Sequence, residues 1–304
     1  MAFKTHSNGK LLITGEYFVM EGAMGLAVPV KWGQSMKVTE SQGAGIHWIT
    51  KDQNGAKWFE CKLNLIDFAI EKTTDETKAE FVQSLIKSAA QLNSDFLSKW
   101  KKYKVTCDLG FDPAWGLGTS STLICNLATW AELSPFELFF DTQEGSGYDI
   151  AAAVSQEPLL YQKNEDELSF ETFDWSGNLT DGICVFYQGH KQNSLEEVRT
   201  WKTNKVWKQK DVKQVSSISE ALADCNDVDE AISLLRDHVN MMERILNRTA
   251  YDGQFSDFEG VVKPLGAWGG DFGLALHTDV EYTAKYLAKK GMKTVFRLGD
   301  ILVK

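Results

Sequence analysis

A glycine- and hydroxyl-rich segment, DPAWGLGTSS at residues 112–121, leads directly into an apolar stretch typical of a helix. Gly116 and Gly118 permit backbone conformations in which a β-carbon would clash. The free N–H groups of a first helical turn point forward, and the helix dipole favours an anion in front of them. The segment therefore predicts a phosphate-binding site. It is not a P-loop, because no lysine follows the second glycine, and an ordinary glycine turn with a hydroxyl N-cap remains an alternative.

Two further glycine-rich segments lie far away in the chain, GKLLITGEY at residues 9–17 and GAWGGD at residues 266–271. Between them, SGYD at residues 146–149 places the carboxylate of Asp149 just before an apolar run. A carboxylate within reach of a hydroxyl can act as a general base, but aspartate is also a common N-cap. Lys10 could neutralise an anion or be a solvated lysine at a strand end.

Composition limits the possible functions. The chain has 304 residues, 43% of them hydrophobic, which suits one or two globular domains with full cores. The formal charge of −10 argues against a nucleic-acid partner, which would need a basic face. No apolar leader or run of about 18 apolar residues occurs, so we expect a cytoplasmic protein without a membrane partner. The five cysteines lack a C-x-x-C pair and are expected to be buried thiols.

The hydrophobic pattern predicts the elements that position these segments. In the first half we expect strands within residues 9–31, a β-meander over 35–65, a helix over 78–98, a strand over 105–109 and a helix over 120–132. In the second half we expect strands over 183–187, 261–262, 272–276 and 294–298, a helix opened by a Ser194/Glu197 capping box, largely helical residues 205–250, and a helix over 279–290. This order favours a two-lobed α+β architecture, with domains at residues 1–180 and 181–304.

Four motifs in this order resemble the GHMP small-molecule kinases, which include galactokinase, homoserine kinase, mevalonate kinase and phosphomevalonate kinase. The matches are residues 9–16 to the first motif, 113–121 to the phosphate loop P-x-G-x-G-L-G-S-S-A, 146–149 to the S-G-x-D segment and 266–270 to G-A-G-G-G. The resemblance covers essentially the whole chain and is strongest to the mevalonate and phosphomevalonate kinases. It implies an ATP-binding N-terminal domain with a fold like that of ribosomal protein S5. It also implies a ferredoxin-like C-terminal domain.

The resemblance implies ATP-dependent phosphoryl transfer with Mg²⁺. Asp149 would take or orient the proton of the acceptor, and Lys10 would keep Asp149 ionised or neutralise the transferred group. Ser120 would bind Mg²⁺, because hydroxyl oxygens suit this ion. The expected nucleotide-binding residues are Gly116, Leu117, Gly118, Thr119, Ser120, Ser121, Gly266, Gly269 and Gly270.

The sequence specifies the acceptor less well than the nucleotide. We expect a small anionic or polyol metabolite, with mevalonate or phosphomevalonate favoured, and a monomer or homodimer. A sugar or homoserine kinase, diphosphomevalonate decarboxylase, or a relative that binds without turnover are the alternatives. His190 and Lys191 resemble the loop before a helix in mevalonate-pathway enzymes; they could contact an acceptor anion or be solvated.

The chain departs from the family pattern at several positions. Trp115 and Trp268 stand where small residues are usual, so each indole packs on the back of its loop or lines the ligand pocket. Tyr17 stands where many relatives have histidine. No acidic residue falls clearly at the position of a second Mg²⁺ ligand. The candidates, each of which could equally be a solvated helix charge, are Glu137, Asp141 and Glu144.

Overall fold

A computed structural model describes residues 2–164, 167–175, 177–189, 194–268 and 271–303. The chain forms two compact units. The first, here called the N-terminal unit, contains Met1–Gly9, Trp32–Pro113 and Leu117–Val154. The second, the C-terminal unit, contains Lys10–Lys31, Ala114–Gly116 and Ser155–Lys304. The domain boundary at residue 180 stays a prediction.

The strands are β1 Phe3–Thr14, β2 Gly25–Ser41, β3 Gly45–Lys51, β4 Lys57–Leu63, β5 Ile70–Thr73, β6 Lys102–Leu109, β7 Leu159–Asn164, β8 Glu167–Thr172, β9 Ile183–Tyr187, β10 Val261–Pro264, β11 Phe272–Leu276 and β12 Val295–Arg297. The helices are α1 Glu76–Leu92, α2 Thr119–Trp130, α3 Pro135–Thr142, α4 Tyr148–Val154, α5 Asn178–Gly182, α6 Ser194–Asn204, α7 Gln209–Asp224, α8 Val228–Leu246, α9 Val280–Lys289 and α10 Leu298–Ile301.

The strands form a large mixed sheet and a smaller antiparallel sheet. The larger sheet has the order β5-β4-β3-β6-β2-β7-β8, with β1 paired to β2. Strands β3 and β6 run parallel, whereas β6 and β2 are antiparallel, with Leu109 opposite Gln34. The smaller sheet has the order β10-β11-β9-β12 with antiparallel pairs throughout. The α+β class expected from the sequence is confirmed.

In the N-terminal unit, buried polar side chains fix the start of α2 against β1 and β2. Thr122 Oγ1 donates to Gln34 Oε1 at 2.9 Å, and Asn126 Nδ2 donates to the Gln34 carbonyl at 2.8 Å. Ser7 Oγ donates to Asn126 Oδ1 at 3.1 Å. Buried hydrogen bonds of this kind specify one geometry, because a displaced partner would leave an unsatisfied polar group. The direction of α2, and of the glycine segment before it, is therefore set by the sheet.

In the C-terminal unit, the smaller sheet is buried and helices pack on it. All five residues of β11 are buried, and so are the first four residues of β9. An apolar cluster that includes Phe186, Phe255 and Leu287 fills the space between sheet and helices. Helix α8 is strongly amphipathic, with Leu235 and Met242 on its buried side. This core holds β9 and β11 in place, so the residues next to the ends of these strands have fixed positions.

Two local predictions differ from the structure. The helix expected over 78–98 ends at Leu92, because Asn93 is extended and its side chain donates to the carbonyl of Ala131 at 2.8 Å. Phe96 nevertheless reaches the core. Strands β7 and β8 were not predicted; β8 is mostly exposed and lacks a clear apolar alternation. Among the described residues, no helix has the length and apolarity that a membrane crossing requires.

Candidate active site

The glycine segment adopts a backbone that favours glycine at two positions. A short 3₁₀ turn, Pro113–Trp115, is followed by Gly116 with φ of 67° and Gly118 with φ of 99°. Gly118 is the N-cap of α2, and no side chain caps the first turn. The hydroxyl N-cap of the alternative interpretation is therefore absent from α2, and the first amides of this helix lack the partner that a capping side chain would provide. Such a turn can receive an anion.

The hydroxyl residues at the start of α2 have different surroundings. Ser121 is buried, and its Oγ donates to the Gly118 carbonyl at 3.0 Å. Ser120 is exposed, and within the described part of the chain its hydroxyl has no hydrogen-bond partner. Ser120 thus offers a free oxygen to solvent at the helix start, whereas Ser121 supports the turn.

Asp149 lies in the first turn of α4 in the N-terminal unit, and is not the N-cap of this helix. Its Oδ1 accepts a hydrogen bond from the Ile150 N–H at 3.2 Å. Burial, with a further contribution from the charge of Asp149, raises the pKa of the Cys125 thiol. Cys125 belongs to α2, so α4 brings Asp149 near the helix that follows the glycine segment.

Lys10 lies inside β1 and is half-buried, so it is not a solvated lysine at a strand end. It belongs to the C-terminal unit, whereas Asp149 belongs to the N-terminal unit. An interaction between these two residues stays a prediction.

Trp115 packs on aromatic residues of the smaller sheet. Its ring centroid lies 5.9 Å from Phe272, 5.7 Å from Phe296 and 6.4 Å from Tyr187. The Tyr187 hydroxyl donates to the Ala114 carbonyl at 3.3 Å. These contacts hold residues 114–116 within the C-terminal unit. Of the two alternatives for this tryptophan, packing on the back of its loop agrees with them.

Gly116 also makes room for a side chain that sequence reasoning did not assign. A β-carbon on Gly116 would lie 2.3 Å from Asp271 Oδ2, so only glycine lets this carboxylate lie against the segment. Asp271 itself has a φ of 54°, a left-handed conformation that aspartate tolerates better than most residues. The signal in the sequence was the Gly-Gly-Asp ending of the third motif.

The third glycine motif is described only in part. Gly266 has a φ of 68°, and Leu265 N–H donates to the Phe272 carbonyl at 2.9 Å. Gly269 and Gly270 lie outside the described residues, as do the candidate anion contacts His190 and Lys191.

Trp268 is completely buried, so its indole does not line a ligand pocket. Both main-chain polar groups of Trp268 are bound by side chains. Its N–H donates to the Tyr17 hydroxyl at 3.0 Å, and its carbonyl accepts from Arg248 Nη2 at 2.6 Å. Glu197 connects the two side chains, accepting from Tyr17 at 3.1 Å and from Arg248 at 3.0 Å. The departures from the family pattern at Tyr17 and Trp268 therefore contact each other.

A fully buried ionic cluster supports the same two motifs. The Lys263 ammonium donates to Glu16 Oε1 and, at 3.0 Å, to the Pro264 carbonyl. His238 Nε2 accepts from the Gly15 N–H at 3.3 Å and lies 3.3 Å from Glu16 Oε2. Glu16 belongs to the first motif, and Lys263 precedes the third. No local pattern in the sequence predicts this cluster.

Burial dominates the titration of this cluster. It raises the pKa of the Glu16 carboxyl, although the neighbouring Lys263 ammonium opposes the shift. It lowers the pKa of Lys263, against the attraction of Glu16. It also lowers the pKa of His238 well below its ordinary value, and the charge of Lys263 adds to this effect. His238 is therefore neutral in the folded chain near neutral pH.

Comparison with known proteins identifies several solved structures with a similar fold. No protein-family model matches the sequence, and no curated protein matches it. Phosphomevalonate kinase from Streptococcus pneumoniae, solved with phosphomevalonate and AMPPNP, has a TM-score of 0.72 at 19% identity, covering 97% of this chain and 99% of that one. L. major mevalonate kinase in complex with R-mevalonate has a TM-score of 0.66 at 18% identity, with coverage of 97% and 94%.

A galactokinase is also similar in fold. The Lactococcus lactis enzyme complexed with galactose has a TM-score of 0.69 at 12% identity, covering 99% of this chain and 93% of that one. All three proteins are GHMP kinases, and at these identities the likeness establishes the fold. The chain has the GHMP kinase fold, as the four motifs predicted.

Replacing Lys263 with methionine should leave the Glu16 carboxylate buried and unpaired. We expect the free energy of unfolding to fall by about 3–5 kcal/mol, because removal of one partner exposes the other to an uncompensated burial cost. Urea denaturation of the variant measures this loss. The double variant Glu16→Gln/Lys263→Met should recover part of it. A single variant as stable as the parent chain would contradict the assignment.

The neutral His238 should make the fold sensitive to acid. A folded-state pKa below the unfolded value of about 6.5 means that the unfolded chain binds an extra proton as the pH falls. The resulting stability is present above about pH 6.5 and is lost progressively below it. Urea denaturation between pH 7.5 and 5.5 should show this decline, and His238→Gln should reduce its slope. His277→Gln, outside the buried cluster, is the control; equal slopes in both variants would refute the prediction.

Proposed function

We propose, from the GHMP kinase fold, that this protein transfers the γ-phosphoryl group of ATP to a small metabolite, with mevalonate or phosphomevalonate as the favoured acceptor. One observation carries the proposal. Helix α2 begins at a left-handed Gly118, and no side chain caps its first turn. This arrangement can bind phosphate groups through main-chain amides. Phosphoryl transfer needs mainly alignment and charge neutralisation, and amides at a helix start can supply both.

The nucleotide would be held by the segment from Gly116 to Ser121 and by the turn that starts at Gly266. The acidic chain with few arginines suits this mode of binding, because amides can attract phosphate without a basic surface. Asp149 would accept or orient the proton of the attacking hydroxyl. Lys10 would neutralise charge on the transferred group or keep Asp149 ionised.

Mg²⁺ fits the donors present in the glycine segment. The Ser120 hydroxyl is exposed and has no partner among the described residues, and hydroxyl oxygens suit this hard cation. Ser120 would hold Mg²⁺, which when bound would neutralise charge on the phosphate oxygens.

The acceptor is supported by two of the similar structures. The S. pneumoniae enzyme was solved with phosphomevalonate and the L. major enzyme with R-mevalonate, which favours an acceptor of this class. A sugar kinase is the second candidate, because the galactokinase complexed with galactose superimposes over nearly the whole chain. Fold does not fix the acceptor, which depends on the side chains of its own pocket.

An acceptor panel tests the proposal directly. With ATP and Mg²⁺, we expect coupled ADP-release assays to detect turnover with mevalonate or phosphomevalonate and little with galactose or homoserine. Turnover with a sugar alone would establish the second candidate. Carbon dioxide release from diphosphomevalonate would indicate a decarboxylase. Nucleotide binding without turnover on any acceptor would indicate a relative that only binds.

Replacing Asp149 with asparagine should remove the group that accepts or orients the acceptor proton. We expect kcat to fall by about 10²–10⁴, the usual contribution of a general base. The dissociation constant of ATP, measured by calorimetry, should change little because the amides of the glycine segment are untouched. Asp95→Asn, an exposed carboxylate of the same unit, is the matched control. Unchanged kcat in Asp149→Asn would refute the catalytic role.

A further inference from the structure

A pocket of about 290 Å³ lies within the C-terminal unit, formed by residues of α6, by the end of α8 and by Tyr17. Among the described residues, none that is assigned above to nucleotide binding or catalysis lines it. Its buried lining side chains include Tyr17, Trp201 and Ile245. Trp201 stacks on Tyr17 with the ring centroids 5.2 Å apart, so this part of the wall is firmly packed. Pockets with apolar walls and a few polar groups are typical of small-molecule sites, and this volume suits a compact ligand.

The exposed lining side chains are mostly polar. They are Thr200, Asn204, Lys205, Asn247 and Arg248. Val206 differs from them, because it is a large apolar side chain that is 59% exposed. A ligand with a hydrocarbon part would cover Val206 and the buried wall, which removes apolar surface from water. A polar group of the same ligand would face the exposed side chains.

The charges that line the pocket favour an anion. Arg248 Nη2 lies 3.0 Å from Glu197 Oε2, so these two charges compensate each other. Lys205 has neither an ion pair nor a side-chain hydrogen bond within the described ranges. In the same part of the chain, Arg248 uses three of its five N–H groups, on Glu197 and the Trp268 carbonyl, and two remain for a ligand. The described lining residues therefore carry one net positive charge.

Lys205 has a backbone conformation that its residue type does not favour. Its φ is 36°, and its N–H donates to the Trp201 carbonyl at 3.5 Å, next to the end of α6. Glycine or asparagine usually occupies a left-handed position after a helix, as Asn247 does after α8. A lysine in this conformation is strained, and strained residues cluster at ligand sites. The ammonium group is therefore placed at the pocket at a cost in local stability.

We propose that this pocket binds a small organic monoanion, a carboxylate on a short hydrocarbon skeleton. The carboxylate would lie at Lys205 and at the remaining N–H groups of Arg248, because charge-assisted hydrogen bonds are the strongest that these side chains form. The hydrocarbon would lie against Trp201 and Val206. Binding of this ligand goes beyond phosphoryl transfer, since it needs neither ATP nor Asp149.

Titration with 3-methylbutanoate, a compact branched carboxylate, tests the inference. The full chain is labelled with ¹⁵N, and the indole N–H signal of Trp201, identified by its loss in Trp201→Phe, is followed by NMR. We expect a saturable shift of this signal. Acetate lacks the hydrocarbon and should bind about tenfold more weakly or worse. The uncharged 3-methylbutan-1-ol lacks the carboxylate and should also bind more weakly.

Lys205→Asn removes the ammonium group and suits the left-handed backbone. We expect it to weaken 3-methylbutanoate binding about three- to fivefold, as for one exposed ion pair, and to leave binding of the alcohol unchanged. The melting temperature should not fall, because asparagine tolerates this φ better than lysine does. Lys213→Gln, an exposed residue on α7 of the same unit, removes an equal charge and should keep the parent affinity.

Three outcomes would overturn the inference. One is the absence of a saturable Trp201 shift with 3-methylbutanoate. Another is equal weakening in Lys205→Asn and Lys213→Gln, which indicates general electrostatics. The third is a lower melting temperature in Lys205→Asn with unchanged affinity, which indicates a purely structural lysine. If the NMR spectrum shows that Lys205→Asn is unfolded, Lys205→Gly decides the question, since glycine also suits this φ.

Two ligands have this chemistry, the acceptor of the proposed function and a second metabolite that is not phosphorylated. ADP-release assays with mevalonate separate them. A rise in the KM of mevalonate in Lys205→Asn, matching the loss of 3-methylbutanoate binding, assigns the pocket to the acceptor. An unchanged KM with the same loss of binding assigns it to the second metabolite. The NMR titration contains no nucleotide, so it succeeds or fails independently of the proposed kinase activity.

Discussion

A backbone path that favours glycine at the start of α2 is the constraint on which the rest of the site depends. Gly116 and Gly118 are both left-handed, and Gly118 occupies the N-cap position where a hydroxyl or carboxylate side chain would otherwise bind the first amides. Because no side chain caps them, these amides are available to a ligand. The same lack of a β-carbon at Gly116 admits the Asp271 carboxylate. One residue type thus leaves the first amides of α2 uncapped and admits a carboxylate beside Gly116.

The proposed phosphate-binding segment belongs to an acidic chain, and this has a physical consequence. With a formal charge of −10, the long-range field of the protein does not attract nucleotides. Under the proposed function, nucleotide binding would depend on short-range contacts with oriented amides. Such a site would select its ligand by geometry more than by charge, in contrast to surfaces rich in arginine.

Within the C-terminal unit, the turns of the first and third motifs are connected through the interior. Glu16 pairs with Lys263, and the adjacent Tyr17 accepts from the Trp268 N–H. Arg248 binds the other main-chain group of Trp268. A buried ion pair contributes little net stability when intact, but its loss is costly, so it specifies one arrangement. Two successive residues of the first motif therefore fix the segment on both sides of Gly266.

The sequence alone determined the fold class, the order of the motifs and most helices and strands. These follow from local signals. For example, the alternation of Val105, Cys107 and Leu109 in β6 predicts a strand without knowledge of its partner strand. It also singled out the glycine segment, because left-handed turns are a local property of glycine. The exposed strand β8 lacked such a signal and was missed.

Contacts between residues that are distant in sequence follow from the packed fold. Glu16 and Lys263 are 247 positions apart, and the residues adjacent to each in the sequence do not predict that they pair. The burial of Trp268 and the contact of Asp271 with Gly116 likewise depend on strands that bring remote segments together. Local patterns specify backbone conformation and amphipathic faces. The pairing of buried charges, and the packing of Asp271 where Gly116 lacks a side chain, depend on the packed fold.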